Sequence, residues 1–247
     1  MNPYGVDVRE DNIIGPLARL KILYDEMPAT SGCEKCREKN GENAFWCCLS
    51  QSPSMYYIEF LYVWREVQKW SKTNRANLVL RCIRNYLSNS LSKGCVMHEG
   101  KCLCYSQRPY MCKLYGVIHK TSWDKRWTDL RERQKDKFEA KDQCPLVIID
   151  QEGYEGKEGI KPEDEDNWFK QISRCEERIG VQPRELSLHD QSGGSYRTFH
   201  DHILIELFEP AFLERLTKVR FSNPTAEDVD KTIEIVDGVL QEYGIIK

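Results

Sequence analysis

The stretch "SPSMYYIEFLYVWREVQKWS", residues 52–71, decides the fold. Its apolar side chains return every three or four residues, which predicts a helix with one apolar face. Ser52 as the N-cap residue and Pro53 in the first helical position predict where this helix begins. The apolar face consists of Tyr57, Phe60, Leu61, Trp64 and Val67.

Helical spacing of the same kind continues on both sides of this stretch. Gly180 and Thr225 mark helix ends: the glycine is a C-terminal signal and the threonine an N-cap. A mainly α fold is therefore expected. The further helices are predicted over 12–27, 74–91, 121–138, 163–180, 197–208, 210–220 and 225–244.

One segment, 144–166, interrupts this periodicity with glycines, lysines and acidic residues, which is typical of a linker. It divides the chain into two predicted regions. Residues 1–150 form a cysteine-cluster metal-binding domain, and residues 151–247 form a helical C-terminal region that could pack on the first.

Composition narrows the classes of function. A formal charge of −3 over 247 residues provides no electrostatic footprint for nucleic acid. The N-terminal residues "MNPYGVDVREDN" contain neither the basic nor the apolar region of a signal peptide. Apolar runs are too short to span a membrane. We therefore expect a cytoplasmic protein that binds neither nucleic acid nor membranes.

The chain contains eleven cysteines. Cytoplasmic thiols stay reduced, so clustered cysteines indicate metal ligands or redox groups more than disulfides. Most of these cysteines fall between the predicted helices. A helical scaffold could thus gather cysteine-rich loops at one end of the fold, and thiolates in this number suit iron–sulfur clusters or zinc.

The spacing of the cysteines selects candidate ligands. Cys33 and Cys36 are separated by two residues, which lets both thiolates bind from one tight turn. Cys47 and Cys48 are adjacent and could serve two different centres. Cys144 precedes a proline, as in cluster-binding loops. The segment "GCVMHEGKCLCYSQRPYMC" adds Cys95, Cys102, Cys104 and Cys112.

Two cysteines lie inside predicted helices and are expected to be small buried side chains, not ligands: Cys82 and Cys175. His98 lies among the clustered cysteines and is a further possible ligand. The stretch "FHDHILIE" places His200, His202 and Glu206 close together. A metal shared by them is the weaker reading, because on a helix the two histidines diverge.

The order Cys102-x2-Tyr105-x2-Arg108-Pro109-x2-Cys112 resembles the signature of the YkgJ-type CxxCxxCC family, which chelates zinc or iron. The resemblance covers residues 30–150, roughly. It implies eight ligands, with Cys104 at a position that is usually aliphatic and hence part of the wall. It also implies Arg108 and Tyr105 beside the cofactor. The eight ligands are Cys33, Cys36, Cys47, Cys48, Cys95, Cys102, Cys112 and Cys144.

Eight thiolates match two four-cysteine sites. We expect iron–sulfur clusters, four-iron clusters first, that serve electron transfer or assist a maturation or modification enzyme as the protein partner. Zinc that staples a protein-interaction module is the alternative. One subgroup of the family bears the label of a flagellin N-methylase, so a methyl-transferring or radical enzyme is a further alternative. The residues leave open whether the chain is catalytic.

Overall fold

The computed structural model describes residues 9–27, 48, 52–88, 94–114, 117–119, 121–122, 125, 128, 160–181 and 195–243. Helices account for 72% of these residues, so the prediction of a mainly α fold is confirmed. The predicted helix over 121–138 and the predicted linker over 144–166 fall largely outside the described residues.

Eight helices and two short strands make up the described part of the chain. The strands β1 (Ser54–Met55) and β2 (Arg197–Thr198) pair antiparallel, with Ser54 opposite Thr198. A 3-10 turn covers Tyr105–Gln107. The helices are α1 (Glu10–Glu26), α2 (Tyr57–Val67), α3 (Lys72–Leu87), α4 (Tyr110–Leu114), α5 (Pro162–Arg178), α6 (Phe199–Leu207), α7 (Pro210–Phe221) and α8 (Ala226–Tyr243).

Helix α3 lies at the centre of the packing. It contacts α6, α7 and α8, while α1 packs against α5 and α2. The apolar side chains that these helices bury form one continuous core, which extends from Ile13 on α1 to Leu240 on α8. Residues from both predicted regions thus contribute to this core. The division of the chain near residue 150 stays a prediction.

Helix α2 begins later than the sequence predicts. The expected start, with Ser52 as N-cap and Pro53 in the first turn, is wrong: the helix begins at Tyr57. Residues 54–55 are extended instead, because they pair with β2, which is distant in the sequence. A long-range strand pairing has therefore overridden a local helix-start signal.

Carboxylates replace the predicted serine cap of α2. Glu59 accepts a hydrogen bond of 2.9 Å from the N–H of Tyr56, and Glu176 accepts bonds of 3.1 and 2.6 Å from the N–H groups of Tyr57 and Ile58. The first N–H groups of a helix have no backbone partner within it, so the side-chain oxygens that accept from them act as caps. Glu176 lies on α5, so this cap also ties α5 to α2.

Other predicted helix ends are confirmed. Helix α5 carries acidic residues in its first turn and is followed by Gly180, which has a φ of 70° in the left-handed region. At the start of α8, the hydroxyl of Thr225 accepts a bond of 3.2 Å from the N–H of Asp228. Among the helices described, none is both long and apolar enough to cross a membrane.

Candidate metal centre

Half of the eight predicted ligands belong to the described residues: Cys48, Cys95, Cys102 and Cys112. All four are half-buried. The other four, Cys33, Cys36, Cys47 and Cys144, lie outside the described residues. The geometry of the candidate centre therefore comes from the segment 94–114 and its neighbours.

Cys95 and Cys48 are joined through the backbone. The N–H of Cys95 donates a hydrogen bond of 2.5 Å to the carbonyl oxygen of Cys48. Cys48 precedes α2 and Cys95 follows α3, so this bond connects two cysteine-bearing segments that are distant in the sequence.

A tight turn positions Cys102. His98 and Cys102 face each other in an isolated antiparallel bridge, flanked by a bond of 2.9 Å from the N–H of Leu103 to the carbonyl of Met97. The turn passes through Gly100, whose φ of 66° favours glycine. His98, the further possible ligand, is half-buried, and burial lowers its pKa.

The Arg108-Pro109 step starts the helix that carries Cys112. Arg108 is extended, with a ψ of 134°, as expected for a residue before proline. Helix α4 then begins at Tyr110, and the N–H of Cys112 donates a bond of 2.9 Å to the carbonyl of Pro109. The hydroxyl of Tyr110 donates to the carbonyl of Glu165 at 2.7 Å, so α4 is fastened to α5.

The thiols of Cys102 and Cys104 lie close together. Their Sγ atoms are 3.9 Å apart, well beyond the roughly 2.05 Å of a disulfide. Two thiolates bound to one tetrahedral metal at about 2.3 Å each would be about 3.8 Å apart. Cys104 is buried, as a wall residue would be, yet its sulfur faces another sulfur.

The two thiols differ in acidity. The hydrogen bond from Cys104 and the positive charge of Arg108 lower the pKa of Cys102 to about 7, against the opposing effect of burial. The same hydrogen bond, burial and the negative charges of Cys102, Cys95 and Cys112 raise the pKa of Cys104 well above its usual range. Cys104 thus lies within the electrostatic reach of three predicted ligands.

Basic side chains accompany these thiols. The guanidinium of Arg108 lies 3.8 Å from the ring centroid of Tyr105 and acts electrostatically on Cys102. A planar cation stacked on an aromatic ring is well held, so this charge is fixed beside the thiol. The stacked pair is the one that the family resemblance places beside the cofactor.

Two further cations were not predicted from the sequence. Arg81 on α3 acts electrostatically on Cys82 and, less strongly, on Cys95, and Lys113 on α4 acts on Cys112. Arg81 also forms an ion pair with Glu99. The only signal in the sequence is that each of them neighbours a cysteine, and a neighbouring lysine or arginine is too common to be informative.

The cysteines that were predicted not to be ligands are buried in helices. Cys82 on α3 is fully buried and Cys175 on α5 is 2% exposed, both within the hydrophobic core. Burial raises the pKa of each thiol. Both therefore stay neutral and act as small apolar side chains.

The side chains of His200, His202 and Glu206 contact different groups of the fold. Nε2 of His202 lies 3.0 Å from the carbonyl oxygen of Met55, and Glu206 accepts a bond of 2.7 Å from the hydroxyl of Tyr57. Nε2 of His200 lies 3.6 Å from Oδ1 of its neighbour, Asp201. Burial lowers the pKa of His202 to about 4. These side chains connect β1 and α2 to α6.

The distance between the thiols of Cys102 and Cys104 is the observation that suits a metal in this part of the chain. Within the described ranges, no set of three or more His, Cys, Asp or Glu side chains is arranged to hold a metal ion. The separation of Cys102 and Cys104 nevertheless suits a shared tetrahedral metal. Soft thiolate donors suit zinc or iron, not calcium or magnesium.

Comparison with models of protein families, with curated proteins and with solved structures found no match to this chain.

Proposed function

We propose that the chain is an iron–sulfur protein that serves electron transfer or assists a maturation or modification enzyme. The observation that supports this best is the close thiol pair formed by half-buried Cys102 and buried Cys104, in a segment with basic side chains nearby. Anionic thiolate centres need nearby positive charge when they are partly withdrawn from water. Arg81, Arg108 and Lys113 supply that charge at the described thiols.

The proposed ligands are the eight cysteines that spacing and family resemblance select. They would come together as cysteine-rich loops at one end of the helical scaffold. The backbone bond between Cys95 and Cys48 supports this gathering, because it connects two of these loops directly. The set is Cys33, Cys36, Cys47, Cys48, Cys95, Cys102, Cys112 and Cys144.

A bound cluster supplies one-electron chemistry, and the residues of the chain hold it and tune it. Arg108, stacked on Tyr105, offsets the negative charge of the thiolates. Positive charge beside a cluster favours its reduced form. The partner in this proposal is a redox or modification enzyme that the cytoplasmic protein docks with; the charge balance of −3 argues against nucleic acid.

Anaerobic purification and elemental analysis test the proposal. We expect a brown protein that contains iron and acid-labile sulfide and has broad visible absorption. A colourless protein that contains neither iron nor sulfide under strictly anaerobic conditions would overturn the iron–sulfur assignment.

A zinc-stapled interaction module is the second candidate. The separation of 3.9 Å between Cys102 and Cys104 favours it, because both thiols can reach one tetrahedral ion. Closed zinc sites stabilise loops that have little core of their own. Stoichiometric zinc without sulfide in the same elemental analysis would select this candidate.

A further inference from the structure

We infer that Cys102 and Cys104 bind the same metal atom as a chelating pair. This inference rests on the proposed metal–thiolate function and specifies how the centre is built. The family resemblance assigns Cys104 to the wall of the site, so the geometry adds a ligand that the resemblance leaves out.

The local backbone brings the two thiols to chelating distance. In an extended strand, the Cα atoms of residues i and i+2 are about 6.6 Å apart, and their side chains point to the same face. The chain turns at residues 103–104 and enters the 3-10 turn that starts at Tyr105, where Cys104 has a φ of −123° and a ψ of 40°. The Sγ atoms therefore approach to 3.9 Å, within about 0.1 Å of the spacing expected on a tetrahedral metal.

Cys104 also lies within the electrostatic reach of other thiols of the segment 94–114. It is 4% exposed, and Cys95, Cys102 and Cys112 are all close enough to act on it electrostatically. A wall residue would present its sulfur to apolar side chains. Cys104 packs in the hydrophobic core as well, but its sulfur also lies 3.9 Å from the thiol of Cys102.

A chelating pair is compatible with only some kinds of metal centre. In a two-iron cluster four cysteines serve two irons, and a zinc ion takes up to four thiolates, so two thiolates share one atom in either case. In a four-iron cluster each iron takes one cysteine. The pair therefore favours a two-iron cluster or zinc over the four-iron clusters that the thiol count suggests.

The test compares four anaerobically purified proteins: wild type, Cys102→Ala, Cys104→Ala and the control Cys82→Ala. Cys82 is equally buried but lies on α3 within the core. Metal content and the number of sulfur ligands per metal, from X-ray absorption, are measured for each. We expect Cys104→Ala to lose the metal or one sulfur ligand, as Cys102→Ala does, while Cys82→Ala matches wild type.

An unchanged metal content and sulfur coordination in Cys104→Ala would overturn the inference but leave the metal–thiolate function standing. A wild-type protein without metal would overturn both. Mössbauer spectroscopy of iron-loaded wild type provides a measurement that needs no variant to fold. A two-iron spectrum supports the chelate, and a four-iron spectrum overturns it.

Discussion

The carboxylate of Glu59 on α2 accepts a hydrogen bond of 2.6 Å from the N–H of Tyr110, the first residue of the helix that carries Cys112. The same oxygen accepts a bond of 2.5 Å from the hydroxyl of Tyr24 on α1. Glu59 is 1% exposed, and burial raises its pKa. One buried carboxylate thus joins α1, α2 and the segment of a predicted metal ligand.

The first prediction concerns Glu59→Gln. A glutamine keeps the size of the side chain but turns an N–H group towards donors, which leaves buried hydrogen bonds unmade. We expect the free energy of unfolding to fall by about 1–3 kcal/mol. Urea denaturation followed by circular dichroism measures this loss. Metal affinity should fall as well, because Cys112 loses its support.

Glu66→Gln is the matched control, since Glu66 lies on the same helix and forms an ion pair of 2.7 Å with Lys69 at the surface. Exposed pairs of this kind contribute about 0–1 kcal/mol. Equal stability of the Glu59 and Glu66 variants would show that the buried carboxylate is not a structural link.

The second prediction is a pH dependence set by Glu176. Burial, partly opposed by hydrogen bonds from Ser195, Ile58 and Tyr57, raises its pKa from 4.5 to about 7. The folded state therefore binds a proton that the unfolded state releases between these two values. The contribution of Glu176 to the free energy of unfolding is therefore largest at acidic pH, and it is lost as the pH rises through about 7.

Between about pH 5 and about pH 8, we expect the free energy of unfolding of wild type to fall by on the order of 2–3 kcal/mol relative to that of Glu176→Gln. Chemical denaturation across this range measures the difference. Glu177 is an exposed neighbour on α5, so the free energy of unfolding of Glu177→Gln should depend on pH as that of wild type does. A constant difference between wild type and Glu176→Gln would contradict the prediction.

The third prediction concerns His202, whose pKa is lowered by burial from 6.5 to about 4. The folded state excludes the charged imidazole, so stability is lost as the pH falls from about 6.5 towards 4. His202→Gln keeps a donor for the carbonyl of Met55 and cannot titrate. We expect this variant to be less sensitive to acid than wild type.

Nuclear magnetic resonance titration of the His202 ring checks the cause directly, with His119→Gln as a control for the loss of one histidine. A ring that titrates near 6.5 in the folded protein would show that the imidazole is accessible to water and would remove the basis of the prediction.

Local signals in the sequence were sufficient for most helices but not for the start of α2. Acidic residues and Gly180 correctly marked both ends of α5, because these signals act within a single turn of helix. The start of α2 depends instead on β2 and on Glu176, which lies 118 residues beyond Ile58. No spacing within 52–71 could have revealed partners so distant in the sequence.

The roles of the cysteines in the candidate site could be predicted only in part. Helical position alone identified Cys82 and Cys175 as buried side chains, and the structure places both in the core. The approach of Cys104 to Cys102 depends on the turn at residues 103–104, which carries no distinctive sequence signal. Family resemblance and geometry therefore assign different roles to Cys104.

The final prediction concerns Cys102 and Cys112, which flank the Arg108-Pro109 step. Cys102→Ser or Cys112→Ser should lose metal and lower the melting temperature. A metal held by these thiols binds the folded chain and not the unfolded one, so its loss lowers the free energy of unfolding. Cys175→Ala should keep its metal, at a cost on the order of 1 kcal/mol for a smaller core side chain.

Thermal unfolding with and without a strong chelator separates these effects. A chelator should lower the melting temperature of wild type and of Cys175→Ala, but leave Cys112→Ser unchanged, because that variant has no metal to lose. A Cys112→Ser protein that retains its metal and still responds to the chelator would show that the thiol on α4 is not a ligand. The Arg108-Pro109 step would then serve only to start the helix, and the centre would have to be built from the remaining cysteines.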